Sequence, residues 1–159
     1  MDGIDIEPQG SASVSNVTIE NCVIKGNAGC GIQLNAQGTS ISSVNVKNCL
    51  VNYNYWSGFV AQTGNGGTID TGTLYGNAFF QNGNYGVSLS GATTNYSIGG
   101  EDDHTQYNSF ADNQNLYNSI KYPNLTEAIT HGYVAGTDLN VSSGAQPNNS
   151  ARWNCYFTP

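Results

Sequence analysis

Positive charge is scarce in this chain. Lys25, Lys47, Lys121 and Arg152 are its only strong cations, set against eleven carboxylates, so the formal net charge is −7. That balance repels phosphate backbones and anionic lipid, and neither nucleic acid nor a membrane is expected as a partner. Long apolar runs are missing as well. None is long enough to span a bilayer, and the first residues lack the basic-then-apolar pattern of a secretory leader. The four cysteines and two histidines form neither a CxxC pair nor a His-Cys ligand spacing, which argues against a zinc site. His104 and His131 have no recognisable Ser or Cys partner, so a nucleophilic triad is unsupported. No i, i+3, i+4, i+7 stripe runs through residues 1–115, where glycine is dense, and almost no helix is expected there.

What the chain does have is a repeat. Gly3-Ile4, Gly31-Ile32, Gly58-Phe59 and Gly86-Val87 recur after 28, 27 and 28 residues. Asn27, Asn54 and Asn82 keep step four residues earlier, and Asn113 follows. Apolar columns hold the same register: Val17 with Val44, Ile19 with Val46, and Ile24, Val51, Phe79 and Phe110 three residues before each Asn. A fixed period of this length marks a solenoid, in which no repeat buries its apolar face alone. With 9% charged residues and abundant Gly, Asn, Ser and Thr, composition alone suggests disorder. The 38% of apolar residues fall in register, however, and predict order. Short alternating stretches separated by Asn and Gly predict three short strands per coil.

The expected fold class is therefore all-β: a right-handed parallel β-helix of about four coils over residues 1–118, closed by a cap over 119–159 of the same domain. Within the cap, residues 125–129 suggest a turn of helix and residues 152–157 a strand. Met1 runs straight into the middle of a repeat, which suggests the C-terminal portion of something longer. Cys22 and Cys49 fall at the same place in adjacent coils, Cys30 beside the Gly-Ile step and Cys155 near the end. Buried free thiols are expected, and a bridge from Cys30 to Cys22 or Cys155 stays open.

The stretches Asn16-Val17-Thr18-Ile19-Glu20-Asn21-Cys22-Val23-Ile24-Lys25-Gly26-Asn27 and Ser97-Ile98-Gly99-Gly100 through Asn113 resemble parallel β-helix repeats of the pectin-lyase-like superfamily. The resemblance covers residues 2–118. It implies right-handed coils of three strands with asparagine ladders in their turns. It leaves activity open, because pectinases, epimerases, phage tailspikes and non-catalytic adhesins share the fold. Asp2-Gly3-Ile4-Asp5-Ile6 also resembles the Asn-Thr-Asp-Gly-Ile-Asp segment of polygalacturonases, with Asp2 in the place of the first, catalytic aspartate. The next coil departs from that pattern. Gly29-Cys30 stands where those enzymes pair two aspartates, and their Gly-His-Gly is missing, so polygalacturonase activity is not expected.

Alternation along a strand sends Ile4 and Ile6 inward and turns Asp5 and Glu7 outward together. Stacking places Gln33 and Asn35 beside them, then Val60 and Gln62, then Ser88 and Ser90. Carboxylates at i and i+2 lie roughly 6.5–7 Å apart by strand rise, near the window of about 6.5–9.5 Å used by inverting glycosidases. Asp5 and Glu7 thus read as an acid and base pair assisted by Asp2, or as solvated charges on an early coil. Tyr53, Tyr55 and Trp56 share one turn, with Tyr85 one coil on; they read as sugar-stacking rings or as packing between turns. Gln33, Asn35, Gln62, Tyr55, Trp56 and Tyr85 complete the substrate-binding set. Glu101-Asp102-Asp103-His104, in a repeat stretched to 31 residues between Asn82 and Asn113, are candidates for Ca²⁺ or a solvated acidic loop. No other cofactor is expected.

A lyase needs a cation near the carboxylates, and Lys25 and Lys47 lie on other strands. The acidic balance also disfavours polyuronates, leaving a neutral or weakly charged polysaccharide as the expected partner. The expected function is polysaccharide recognition within a glycoside hydrolase-type depolymerase or phage tailspike, extracellular or virion-borne. The alternative is a non-catalytic glycan-binding, adhesin or scaffold module, and a homotrimer is a possible assembly.

Overall fold

A computed structural model of the chain describes residues 1–99, 108–111, 113 and 139–141. The chain winds through repeated triplets of short strands. The first coil carries β1 (Ile4–Ile6), β2 (Ser13–Glu20) and β3 (Val23–Lys25), and the second carries β4 (Ile32–Gln37), β5 (Ser40–Lys47) and β6 (Leu50–Asn52). The third has β7 (Phe59–Gly64), β8 (Thr68–Tyr75) and β9 (Ala78–Phe80), and the fourth β10 (Val87–Leu89), β11 (Thr93–Ile98) and β12 (Ser109–Ala111). A last strand, β13 (Leu139–Val141), begins a further rung. Like-numbered strands of successive coils pair in parallel to give three sheets, ordered β1-β4-β7-β10-β13, β2-β5-β8-β11 and β3-β6-β9-β12. No helix occurs among the described residues.

Register follows the repeat. Ile4 pairs with Ile32, Ile32 with Phe59 and Phe59 with Val87, while Val17 faces Val44 and Ile24 faces Val51. The inward columns Ile32, Leu34, Phe59, Ala61, Val87 and Leu89 are fully buried, as are Val46 and Leu74 from the second sheet and Val51 and Phe79 from the third. Phe79 and Phe110 stack on neighbouring rungs with centroids 5.4 Å apart.

The repeated glycine is required by close approach. A β-carbon at Gly31 would meet the Asn54 amide, the Val51 side chain and the Gly58 carbonyl, and Gly58 meets the equivalent groups one coil on. The corners, by contrast, are left-handed. Asn16, Ser43, Thr71 and Asn95 form one column with φ of 52–57°, and Gly26, Tyr53 and Gln81 form another. Asn and Gly tolerate this conformation best, which is why they punctuate each coil.

Asparagine ladders tie the turns together. Asn27 Nδ2 donates to Asn54 Oδ1 (2.8 Å), Asn54 Nδ2 to Asn82 Oδ1 (2.9 Å) and Asn82 Nδ2 to Asn113 Oδ1 (2.9 Å). Each Oδ1 also receives the backbone N–H of the preceding rung. A second ladder runs through Asn77 and Asn108, whose amides bond at 2.9 Å, with Asn77 Oδ1 taking the Cys49 N–H. Its first two rungs are Cys22 and Cys49, so no asparagine repeat announces it in the sequence. Cys22, Cys30 and Cys49 carry free thiols.

Part of the tract read as a cap joins the solenoid, since β13 pairs in parallel with β10, Leu139 against Val87. The helical turn expected at 125–129, the strand at 152–157 and Cys155 lie outside the described residues.

Candidate functional site

The turn from the third sheet into the first stacks three columns. Gly29 N donates to Met1 O (3.0 Å), Trp56 N to Gly29 O (3.1 Å) and Asn84 N to Trp56 O (3.0 Å), so Met1, Gly29, Trp56 and Asn84 lie on successive rungs. Tyr55 is flanked likewise by Ala28 and Gly83. Asp2, Cys30, Ser57 and Tyr85 make the third column, linked through Gly3, Gly31 and Gly58. Two bulky rings thus stand on one rung while both neighbours carry small side chains. Trp56 is 58% exposed and Tyr55 49%. They form a ridge with a cleft on each side: one of about 310 Å³ lined by Met1, Asp2, Ala28, Gly29, Cys30, Gln33 and Trp56, the other of about 300 Å³ lined by Tyr55, Trp56, Gly83 and Asn84. Each is at the lower end of small-ligand sites. Tyr53 differs from this pair: its ring meets Phe80 edge-on with centroids 6.2 Å apart, a packing contact.

The carboxylates adjoin the first cleft. Asp2 places Oδ1 on the Cys30 N–H at 2.5 Å. A β-carbon at Gly29 would collide with that carboxylate. Ser57 Oγ takes the Tyr85 N–H (3.3 Å) in the same way two coils on, so Asp2 also serves as a turn-capping acceptor. Asp5 is exposed and pairs in register with Gln33, which lines the cleft. Modest desolvation, then the Asp2 charge, then the Glu7 charge hold the Asp5 carboxyl above its ordinary range. Glu7, also exposed, accepts the Asn35 amide at 3.0 Å; Gln37 Nε2 donates to Asn35 Oδ1 (2.8 Å) and Asn65 Nδ2 to Gln37 Oε1 (3.3 Å). Burial above all pushes the Cys30 thiol up to about 11, against the pull of the Ser57 backbone and with help from Asp2 and Asp5. It stays protonated near neutrality.

Of the residues singled out by sequence, Asp2, Gln33 and Trp56 share one cleft, and Trp56 and Tyr55 share the other. Asp5, Glu7 and Asn35 continue the same outer face, and Gln62 pairs with Asn35 one rung further. Asn35, Gln62 and Tyr85 are half-buried and line neither cleft. Sequence reading missed Ala28, Gly29, Gly83 and Asn84. Their signal was smallness at the two positions flanking Tyr55-Trp56 in register. Glu101, Asp102, Asp103, His104 and His131 lie outside the described residues, and among the described residues no cluster of three His, Cys, Asp or Glu is placed to hold a metal ion. No described helix is long and apolar enough to cross a membrane.

Residues 10–102 match a family model described as a right handed beta helix region. The chain belongs to that right-handed β-helix family. Neither a curated protein nor a solved structure gives a significant match. In this β-helix the candidate site therefore stands on its own geometry: an aromatic ridge between two clefts at the edge of the first sheet, with three carboxylates beside it.

Proposed function

We propose that this β-helix binds a neutral or weakly charged polysaccharide across the Tyr55-Trp56 ridge and hydrolyses it with Asp5 and Glu7. The observation that carries the reading is the ridge itself: two exposed rings with a cleft on either side, one walled by Asp2 and Gln33, the other by Asn84. Aromatic faces stack on the apolar faces of sugar rings, and amides or carboxylates bond their hydroxyls. Asp5, whose carboxyl is raised above its ordinary range by desolvation and by the Asp2 and Glu7 charges, supplies the proton to the leaving glycosidic oxygen. Glu7, oriented by the Asn35 amide, accepts a proton from water attacking the opposite face. A separation of roughly 6.5–7 Å along the strand leaves room for that water and suits inversion. Bacterial surface polysaccharide, as met by a secreted or virion-borne depolymerase, is the substrate class this reading favours.

Trp56→Ala is expected to weaken binding of neutral oligosaccharides by about tenfold or more, equivalent to about 1.4 kcal/mol. Isothermal titration calorimetry with the same oligosaccharides compares the affinities of the parent and the variant. Undiminished affinity in Trp56→Ala would remove the ridge from the reading. For hydrolysis, reducing ends released from a glycan panel are compared between the parent and an Asp5→Asn, Glu7→Gln double variant. Equal release would remove the carboxylate pair.

A second reading has its own observation. The outer face of the third sheet presents Val23, 63% exposed, with Leu50, Ala78 and Phe80 half-buried beside it, a surface suited to packing against sister subunits. A trimer in sedimentation that binds glycan and cleaves none would favour a binding or scaffold module.

A further inference from the structure

Cys22 and Cys49 occupy the first two rungs of the column that Asn77 and Asn108 continue. Leu50 N donates to Cys22 O (2.9 Å), and Ala78 N to Cys49 O (2.8 Å), which fixes the two cysteines on neighbouring rungs. Neighbouring rungs lie about 4.8 Å apart, inside the Cα separation of roughly 4.4–6.8 Å that a disulfide spans. The two side chains also share one orientation. Cys22 Sγ donates to Glu20 O at 3.2 Å and Cys49 Sγ to Lys47 O at 3.2 Å, the carbonyl two residues back in each case. The two thiols therefore stand in parallel on neighbouring rungs. Cys30 is kept apart in a different column, between Asp2 and Ser57.

We propose that Cys22 and Cys49 form a redox modification site, closing to an inter-coil disulfide when a low-molecular-weight disulfide is supplied as oxidant. The half-buried Cys22 reacts first. Its thiolate attacks one sulfur of the reagent, the reagent S–S bond breaks, and one small thiolate leaves. The Cys49 thiolate then attacks Cys22 Sγ and expels the second. Two thiol protons pass to solvent, two cysteines are oxidised, and the reagent takes up two electrons. Burial, the largest of several influences, raises the Cys49 thiol, so the closing step is slow near neutrality and quickens as pH rises. The product staples the first coil to the second, where the asparagine ladder of this column is absent.

Four cations make the test direct. Cleavage after Lys25, Lys47, Lys121 and Arg152 puts the four cysteines on four different tryptic peptides. The native full chain is incubated with oxidised glutathione, its remaining thiols are alkylated, and the digest is mapped without reduction. The expected product joins peptides 1–25 and 48–121 with loss of two hydrogens, and forms faster at about pH 9 than at about pH 7. Cys49→Ser is expected to stop at a glutathione adduct on Cys22, and Cys22→Ser to yield no cross-link. The proposal is overturned if the parent also stops at the adduct, stays unreacted, or links Cys22 to the peptide of Cys30 or Cys155. An equal yield of the same product from chain unfolded in guanidinium chloride would overturn it too, since coil register would then play no part.

Discussion

The Tyr96 hydroxyl donates to the Val44 carbonyl at 2.8 Å, reaching across an entire coil. It does so because the rung between them is Gly72, which pairs with Val44 on one side and Tyr96 on the other. A β-carbon at Gly72 would run into the Tyr96 ring and the Val44 carbonyl. Tyr96 is fully buried, and its ring lies 5.8 Å from that of Phe59. Desolvation raises its hydroxyl above the ordinary range, so it remains a donor near neutrality.

Tyr96→Phe keeps the packing and removes one buried hydrogen bond, for an expected loss of about 1 kcal/mol. Gly72→Ala overpacks the same point and is expected to cost at least about 2 kcal/mol. Equilibrium urea unfolding measures both. A Gly72→Ala protein as stable as its parent would contradict the packing described.

The ladder through Asn82 makes a second test. Its amide donates to Asn113 Oδ1 and Val51 O, and its oxygen accepts both the backbone and side-chain N–H of Asn54, all buried. Asn82→Leu fills the space but strands those partners. A loss of about 3 kcal/mol or more is expected, at 1–3 kcal/mol for each buried group left unmatched. Asn27→Leu, at the half-buried end of the ladder, is expected to cost distinctly less.

Thr71 is a β-branched residue in the left-handed corner, with φ of 54°. Asn16 and Asn95 occupy the same column. Thr71→Asn is expected to raise stability by roughly 0.5–1 kcal/mol, because Asn tolerates this conformation better and retains a side-chain oxygen for the Ser43 N–H, which Thr71 now receives at 3.2 Å. Thermal unfolding monitored by circular dichroism would register the gain.

Two aspartates give opposite pH signatures. Asp5 has a raised folded-state pKa, so its ionisation weakens the fold as pH climbs from its ordinary value, 3.8, through the folded value. Asp5→Asn is therefore expected to be more stable than the parent near pH 7, with the gap closing in acid. Asp70 is lowered, first by the Asn95 amide (2.7 Å) and then by the Thr94 hydroxyl (2.8 Å). Its contribution is present above pH 3.8 and fades as pH falls through the folded value. Asp70→Asn is thus expected to weaken the fold near neutrality and to match the parent in strong acid. Unfolding midpoints across pH for both variants test the signs.

Much of this was legible in the chain. The Gly-Ile step named the rungs, Val17 with Val44 and Ile24 with Val51 named the core columns, and alternation placed Asp5, Glu7, Gln33 and Asn35 on one outer face. A period near 27 residues, together with the twofold alternation of strands, sets where each residue stands along and around the axis.

What a rung does to its neighbours is not contained in that period. The clefts beside Trp56 exist because Gly29 and Asn84 are small where the indole is large, and Tyr96 reaches Val44 because Gly72 leaves the way open. The Asn77–Asn108 ladder was hidden because cysteines begin its column. Asp2 is drawn onto the Cys30 amide by a turn whose close approach only coordinates reveal. Register is a property of the chain, whereas reach between rungs depends on which side chains the adjacent coils lack, and that was decided only when the coils were stacked.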